Sequence, residues 1–162
     1  TVAIEVGVVL AIVLFVRRVM QTSNISVLDG QTVAATEDDE TASMENTDRL
    51  DIPKGVEVYE IDGPFFFGLA SRFEELEAMK KPGTKVRIIR MRKVPFIDST
   101  GVNNLRNLCE RTRKRGVTVI LSGVTEKVQA SLVKFGVDQE IGADNIFPHI
   151  VPALAKAREL AE

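Results

Sequence analysis

The chain opens on an almost unbroken apolar run, residues 2–16, VAIEVGVVLAIVLFV, in which Glu5 is the only charge. Arg17-Arg18 follow at once. The run falls short of the roughly 20 residues that cross a bilayer as a helix. A secretory signal would carry positive charge ahead of its apolar core and a small-residue cleavage site behind it, and this run has neither. The sequence also begins without Met. Residues 1–20 are therefore expected to be the last part of a longer transmembrane helix. The two arginines at its exit place the chain from about residue 19 onward in the cytoplasm, beneath the cell (inner) membrane. A buried helix of a soluble protein is the alternative.

The pattern changes at residue 21. Residues 21–50 are rich in Thr, Ser, Asp and Glu and include the acidic cluster Glu37-Asp38-Asp39-Glu40. So few large apolar groups cannot offset the entropy of ordering, which predicts a flexible acidic linker over 21–51 with at most a short strand near Ile25. From Val56 onward, short alternating segments and helical spacings take turns. VEVYEI sets Val56, Val58 and Glu60 on one face and Glu57, Tyr59 and Ile61 on the other. After the turn signal Asp62-Gly63-Pro64, Phe65-Phe66-Phe67 reads as a short strand. Leu69, Phe73, Leu76 and Met79 then have the spacing of an amphipathic helix, capped by Ser71 and ended by Pro82-Gly83.

KVRIIRMRKV is a central strand by its Val86, Ile88 and Ile89. Its cations, Lys85, Arg87, Arg90, Arg92 and Lys93, predict a sheet face partly open to solvent or covered from outside the domain. The next helix turns Val102, Leu105, Leu108 and Cys109 inward and stops at Gly116. VTVILSG is another buried strand, and Thr125 starts a helix with Val128, Leu132 and Phe135 inward. A last helix uses Ile150, Leu154 and Ala157, with Pro152 near enough to its start to kink it. This order predicts a small α/β domain over residues 52–162, a mixed or mostly parallel sheet with helices mainly on one face.

Composition removes several function classes. A formal charge of −2 over 162 residues argues against nucleic acid as a partner of the whole chain. The one cysteine, Cys109, allows no intramolecular disulfide, and its place on an apolar stripe makes it core rather than nucleophile. His149 is the only histidine, so neither a metal site nor a Ser-His-Asp arrangement is expected. No catalytic residue, metal or cofactor is predicted; the chain reads as a non-enzyme.

The densest set of short polar groups is Asp98-Ser99-Thr100-Gly101, between the basic strand and the helix that follows it. One of these side chains can cap the helix by accepting a bond from an orphan backbone N–H, worth about 1 kcal/mol. The same helix end can also receive an anion, including a nucleotide phosphate, with Arg90 or Arg92 nearby. No GxxxxGK[ST] loop supports a conventional nucleotide site.

The segments EIDGPFFFGLASRFEEL, VRIIRMRKVPFIDSTGVNNL and VTVILSGVTEKVQASLVKFGV, in that order, closely resemble the STAS domain (sulphate transporter and anti-sigma factor antagonist). TVAIEVGVVLAIVLFVRRV resembles the last membrane helix of the SulP (solute carrier 26-type) anion transporters, directly before their STAS domain. The resemblance implies a STAS-type sheet of four to five strands. It also implies that the chain is the cytoplasmic regulatory and interaction module of a secondary carrier of sulphate or a related anion. The implied partners are the membrane through residues 1–18, the carrier's own transmembrane domain, a second copy in a homodimer, and a cytoplasmic protein or nucleotide. In anti-sigma antagonists the serine after the aspartate is phosphorylated. That position is Ser99, which makes an Asp98-Ser99-Thr100-Gly101 phospho-switch the alternative reading.

Overall fold

The structure is a computed structural model that describes residues 1–22, 24–27, 32–33, 50–63 and 82–162. The strand expected at Phe65-Phe66-Phe67 and the helix expected around Leu69 to Met79 lie outside the described residues. Helix α1 spans Val2–Thr22. All of residues 1–18 are exposed, and its apolar side chains from Val2 to Val16 are 49–72% accessible. At ~1.5 Å per residue the run 2–16 rises about 22 Å, against a hydrocarbon core of about 30 Å. Among the described residues no helix is long and apolar enough to cross a membrane.

Among the described residues four strands form the main sheet: β1 (Asn24–Val27), β4 (Val56–Asp62), β5 (Val86–Lys93) and β6 (Thr118–Ser122), in the order β1-β4-β5-β6. β4, β5 and β6 run parallel, and β1 pairs antiparallel along the β4 edge. Two short strands, β2 (Thr32–Val33) and β3 (Leu50–Asp51), pair separately. The stretch expected to be linker thus contributes an edge strand to the sheet, and the sheet begins well before residue 52. β1 gains its backbone hydrogen bonds from β4, so tertiary pairing fixes a strand too short to be marked by its own pattern.

Helices α2 (Ser99–Lys114), α3 (Glu126–Lys134) and α4 (Val137–Ile141) cover one face. Their buried side chains, Val102, Leu105, Leu108, Val128, Leu132 and Val137, meet Ile61, Ile89, Met91, Val119 and Leu121. After the 3-10 turn Ala143–Asn145, helix α5 (Ile150–Ala161) covers the opposite face. There Ile150, Ala153, Leu154 and Ala157 pack on Val56, Val58, Val86, Ile88 and Ile120. Alternation along β4 falls as its sequence indicates, with Val58 facing one core and Ile61 the other. Pro152 sits in the first turn of α5, where a missing N–H leaves no bond unmade, and the helix continues unbroken. Phe135 does not point inward: it is the C-terminal cap residue of α3 and 38% exposed.

The basic strand behaves unlike its sequence expectation. Arg87 and Arg90 are 4% and 1% exposed, so no open cationic face exists at these positions. The register explains it: Glu57 lies opposite Arg87 and Glu60 opposite Arg90 on the neighbouring strand. Each acid offsets the charge of its cross-strand partner, which lets both pairs enter the interior.

Candidate functional site

The loop at residues 94–98 carries the chain from β5 into α2. The Val94 N–H turns back to the Met91 carbonyl at 2.9 Å, and Ile97, 5% exposed, anchors the loop in the core. Pro95 and Phe96 between these anchors are left outside, Phe96 at 45% exposure. Asp98 then takes extended backbone angles, φ −93° and ψ 178°, and is the N-cap of α2. Its Oδ1 accepts the Gly101 N–H at 2.7 Å, and its carbonyl accepts the Val102 N–H at 2.8 Å. The capping role anticipated for this stretch therefore belongs to Asp98. Ser99 is the first residue of the helix and exposed, Thr100 is half-buried, and Gly101 is buried. A phosphate on Ser99 would meet the positive end of a 16-residue helix and, beside it, a carboxylate already engaged in capping.

The two arginines proposed as anion contacts both reach toward Glu60 on the neighbouring strand. Arg90 lies in the interior with Nη1 3.9 Å from Glu60, so it offers no surface to a nucleotide. Arg92 is 23% exposed, and its Nε donates to Glu60 at 2.9 Å. Lys93 Nζ reaches Glu60 at 3.4 Å and Asp62 at 3.4 Å. One buried carboxylate thus gathers three cations. Arg92 and Lys93 also line a cleft of about 440 Å³ with Gly123, Val124, Thr125, Glu126, Pro148 and His149. Gly123, with φ +66°, lets the turn before α3 pass so close to β5 that a Cβ there would sit 2.7 Å from the Arg92 nitrogen. Thr125 caps α3 by accepting the Val128 N–H at 3.4 Å.

A second polar constellation escaped the sequence reading. Tyr59 Oη and Thr84 Oγ1 donate to Glu57 at 3.1 and 2.8 Å, and Arg87 Nη2 donates to it at 3.2 Å. Arg87 Nη1 also donates to Thr112 on α2 at 3.4 Å, and its guanidinium lies 4.9 Å from the Tyr59 ring centre. Burial pushes the Tyr59 hydroxyl up to about 12, with Arg87 opposing and Glu57 adding to the rise. The hydroxyl is a buried, neutral donor to Glu57, and Arg87 ties β4 and β5 to α2 through its bonds to Glu57 and Thr112. Burial likewise pushes the Cys109 thiol up to about 12, which keeps it protonated and inert. Among the described residues no cluster of three or more His, Cys, Asp or Glu could hold a metal ion. His149 precedes α5 and lines the cleft, not the start of α2.

The STAS domain family profile matches residues 49–153. The chain belongs to the STAS domain family. A sulfate transporter family protein from Wolinella succinogenes is 43% identical over 68% of this chain and 91% of its own, with a TM-score of 0.65. The STAS domain of a SulP transporter from Vibrio cholerae is 35% identical over 65% of this chain and 83% of its own, at 0.60. A protein of Bacillus subtilis named as a sulfate transporter is 28% identical over 91% of this chain. This chain spans only 26% of that relative's length. The murine solute carrier 26 family member A9, an anion transporter, is 23% identical, yet its fold covers 96% of this chain at a TM-score of 0.68, and this chain covers 25% of it. Coverage of 96% leaves out too few residues to omit α1, so the shared fold includes most of that helix and the STAS domain together. A Thermotoga maritima protein described as an anti-sigma factor antagonist shares the fold at 19% identity and a TM-score of 0.57.

Proposed function

We propose that this chain is the cytoplasmic STAS module of a SulP-type secondary anion carrier, with the end of the membrane helix that holds it at the bilayer. The observation that carries the reading is α1: a helix whose apolar side chains from Val2 to Val16 are all exposed, separated by a single residue from the edge strand of a STAS sheet. A helix apolar on every side is stable when lipid or other membrane helices surround it. Arg17-Arg18 then mark the cytoplasmic headgroup level. Three boundaries follow from this reading: residues 1–20 belong to the membrane, 21–51 connect, and 52–162 form most of the folded module. Likeness to the solute carrier 26 structure across α1 supports the same division.

The module's role in this reading is regulation, exerted through the loop at residues 94–101. Ser99 is exposed at a helix start, where a phosphoryl group would find unpaired N–H donors worth about 0.3–1 kcal/mol. Asp98 opposes it, since like charges about 4 Å apart repel by roughly 4 kcal/mol at an effective dielectric of about 20. A phosphorylated loop is therefore strained and strongly negative, which suits a surface that is switched off. The test is anion uptake by the complete carrier carrying Ser99→Asp or Ser99→Ala, at matched membrane abundance. Ser99→Asp should lower uptake by several-fold and Ser99→Ala should not. Equal uptake by both variants and the parent would reduce Ser99 to the first residue of a helix.

A further inference from the structure

The parallel strands β4, β5 and β6 all end on one edge of the sheet, at Asp62, Lys93 and Ser122. β1 runs the other way, and its first residue, Asn24, lies opposite Asp62. Helix α1 stops at Thr22, one residue before β1. Two Cα–Cα steps of ~3.8 Å cannot separate Thr22 from Asn24 by more than about 8 Å. The end of α1 is therefore tied to the edge where the strands terminate. Asp62 in turn sits beside Lys93, so the loop at residues 94–98 leaves the sheet from that same edge.

This edge presents an exposed aromatic ring beside cationic side chains, with the acids Asp62 and Asp98 among them. Phe96 is held out at 45% exposure although Ile97 beside it is buried. Lys93 is 44% exposed, and Arg17 and Arg18 lie one turn before the end of α1. Asp62 and Glu60 answer part of this charge through their bonds to Lys93 and Arg92. At a lipid surface a Phe ring buries itself at the headgroup–acyl boundary while long cationic side chains stay at the phosphates.

We infer that the carboxyl edge of the sheet, with Phe96 and Lys93 at its tip, docks on an anionic lipid surface. The inference rests on the proposal that α1 lies in the membrane. It gives the loop a way to regulate: Ser99, six residues past Lys93, adds its phosphate charge next to anionic lipid and lifts the loop off. Phe135, the cap at the end of α3, is set back from this surface: its carbonyl accepts Arg106 Nη2, about two turns into α2 from Ser99.

The sequence contains no tryptophan, so a single introduced indole reports its own surroundings. The complete 162-residue chain is placed in phosphatidylcholine vesicles with and without phosphatidylglycerol, and brominated lipid serves as quencher. Phe96→Trp should show blue-shifted emission and strong quenching in the anionic vesicles, whereas Phe135→Trp should show little. Ser99→Asp in the Phe96→Trp background should release the quenching, and Lys93→Gln should weaken docking about fivefold, the share of one cation at an anionic surface. Equal, weak quenching at positions 96 and 135 in a chain that floats with the vesicles would overturn the docking and leave the membrane reading of α1 standing. A blue shift at 96 without quenching by lipid would also overturn it, because protein would then cover the ring. A chain that does not float with the vesicles at all would remove the membrane reading itself.

Discussion

Cys109 illustrates how a residue's burial decides its chemistry. The side chain is 3% exposed on the inner face of α2, and burial raises its thiol from 9.0 to about 12. Tyr59 behaves alike, rising from 10.0 to about 12 mainly through burial. In both cases the folded state holds its proton more tightly than the unfolded chain. Their contribution to stability is complete below the unfolded values and is lost as pH rises toward about 12. Denaturant midpoints should therefore fall between pH 9 and 12, and Cys109→Ala should make the fall shallower. A thiol reagent should label native Cys109 only as fast as the fold opens; rapid labelling at pH 8 would contradict its inert placement. The apolar stripe already placed this cysteine in the core, and Asp98 was one of three caps its stretch offered. What a single residue cannot reveal is its cross-strand neighbour, which is why Arg90 read as a surface cation although Glu60 holds it inside.

At the scale of elements, the same neighbour effect decides what β5 is. Its cations suggest a wet strand, yet six of its eight residues are buried. β4 supplies Glu57 and Glu60 in register, and Tyr59, Thr84 and Thr112 add hydrogen bonds to Glu57 and Arg87. Removing one member of such a buried pair leaves the other charge uncompensated. Arg87→Met should lower stability by about 3 kcal/mol, and Glu57→Met by a similar amount. The double variant should lose clearly less than the sum, because neither charge is then stranded. Additive losses in urea titrations would show that the pair is not coupled. The strand periodicities of β4, β5 and β6 and the α2, α3 and α5 faces were legible because each segment carries its own pattern. The short α4 carries too few turns to show one, and the pairing of acids on one strand with cations on another is a property of the sheet.

At the scale of the whole molecule, the question is where the folded module begins. Composition alone puts its start after residue 51, because the preceding stretch is polar and acidic. The sheet disagrees: β1 adds Asn24–Val27 to β4, antiparallel and in register from Asp62 to Tyr59. This short strand also joins α1 to the module without slack, so it couples whatever α1 does to the edge that carries residues 94–101. A fragment beginning at Ser23 keeps that strand, whereas one beginning at Leu50 exposes the backbone edge of β4. A few lost backbone hydrogen bonds at about 1 kcal/mol each predict that the shorter fragment is less stable by roughly 2–3 kcal/mol. An unpaired edge strand also invites pairing between chains, so the shorter fragment should self-associate more at high concentration. Urea midpoints and sedimentation of the two fragments check both expectations. Matching midpoints together with matching molecular weights would mean that β1 lies on the sheet without holding it, and α1 would then be joined to the module by a tether rather than a strand.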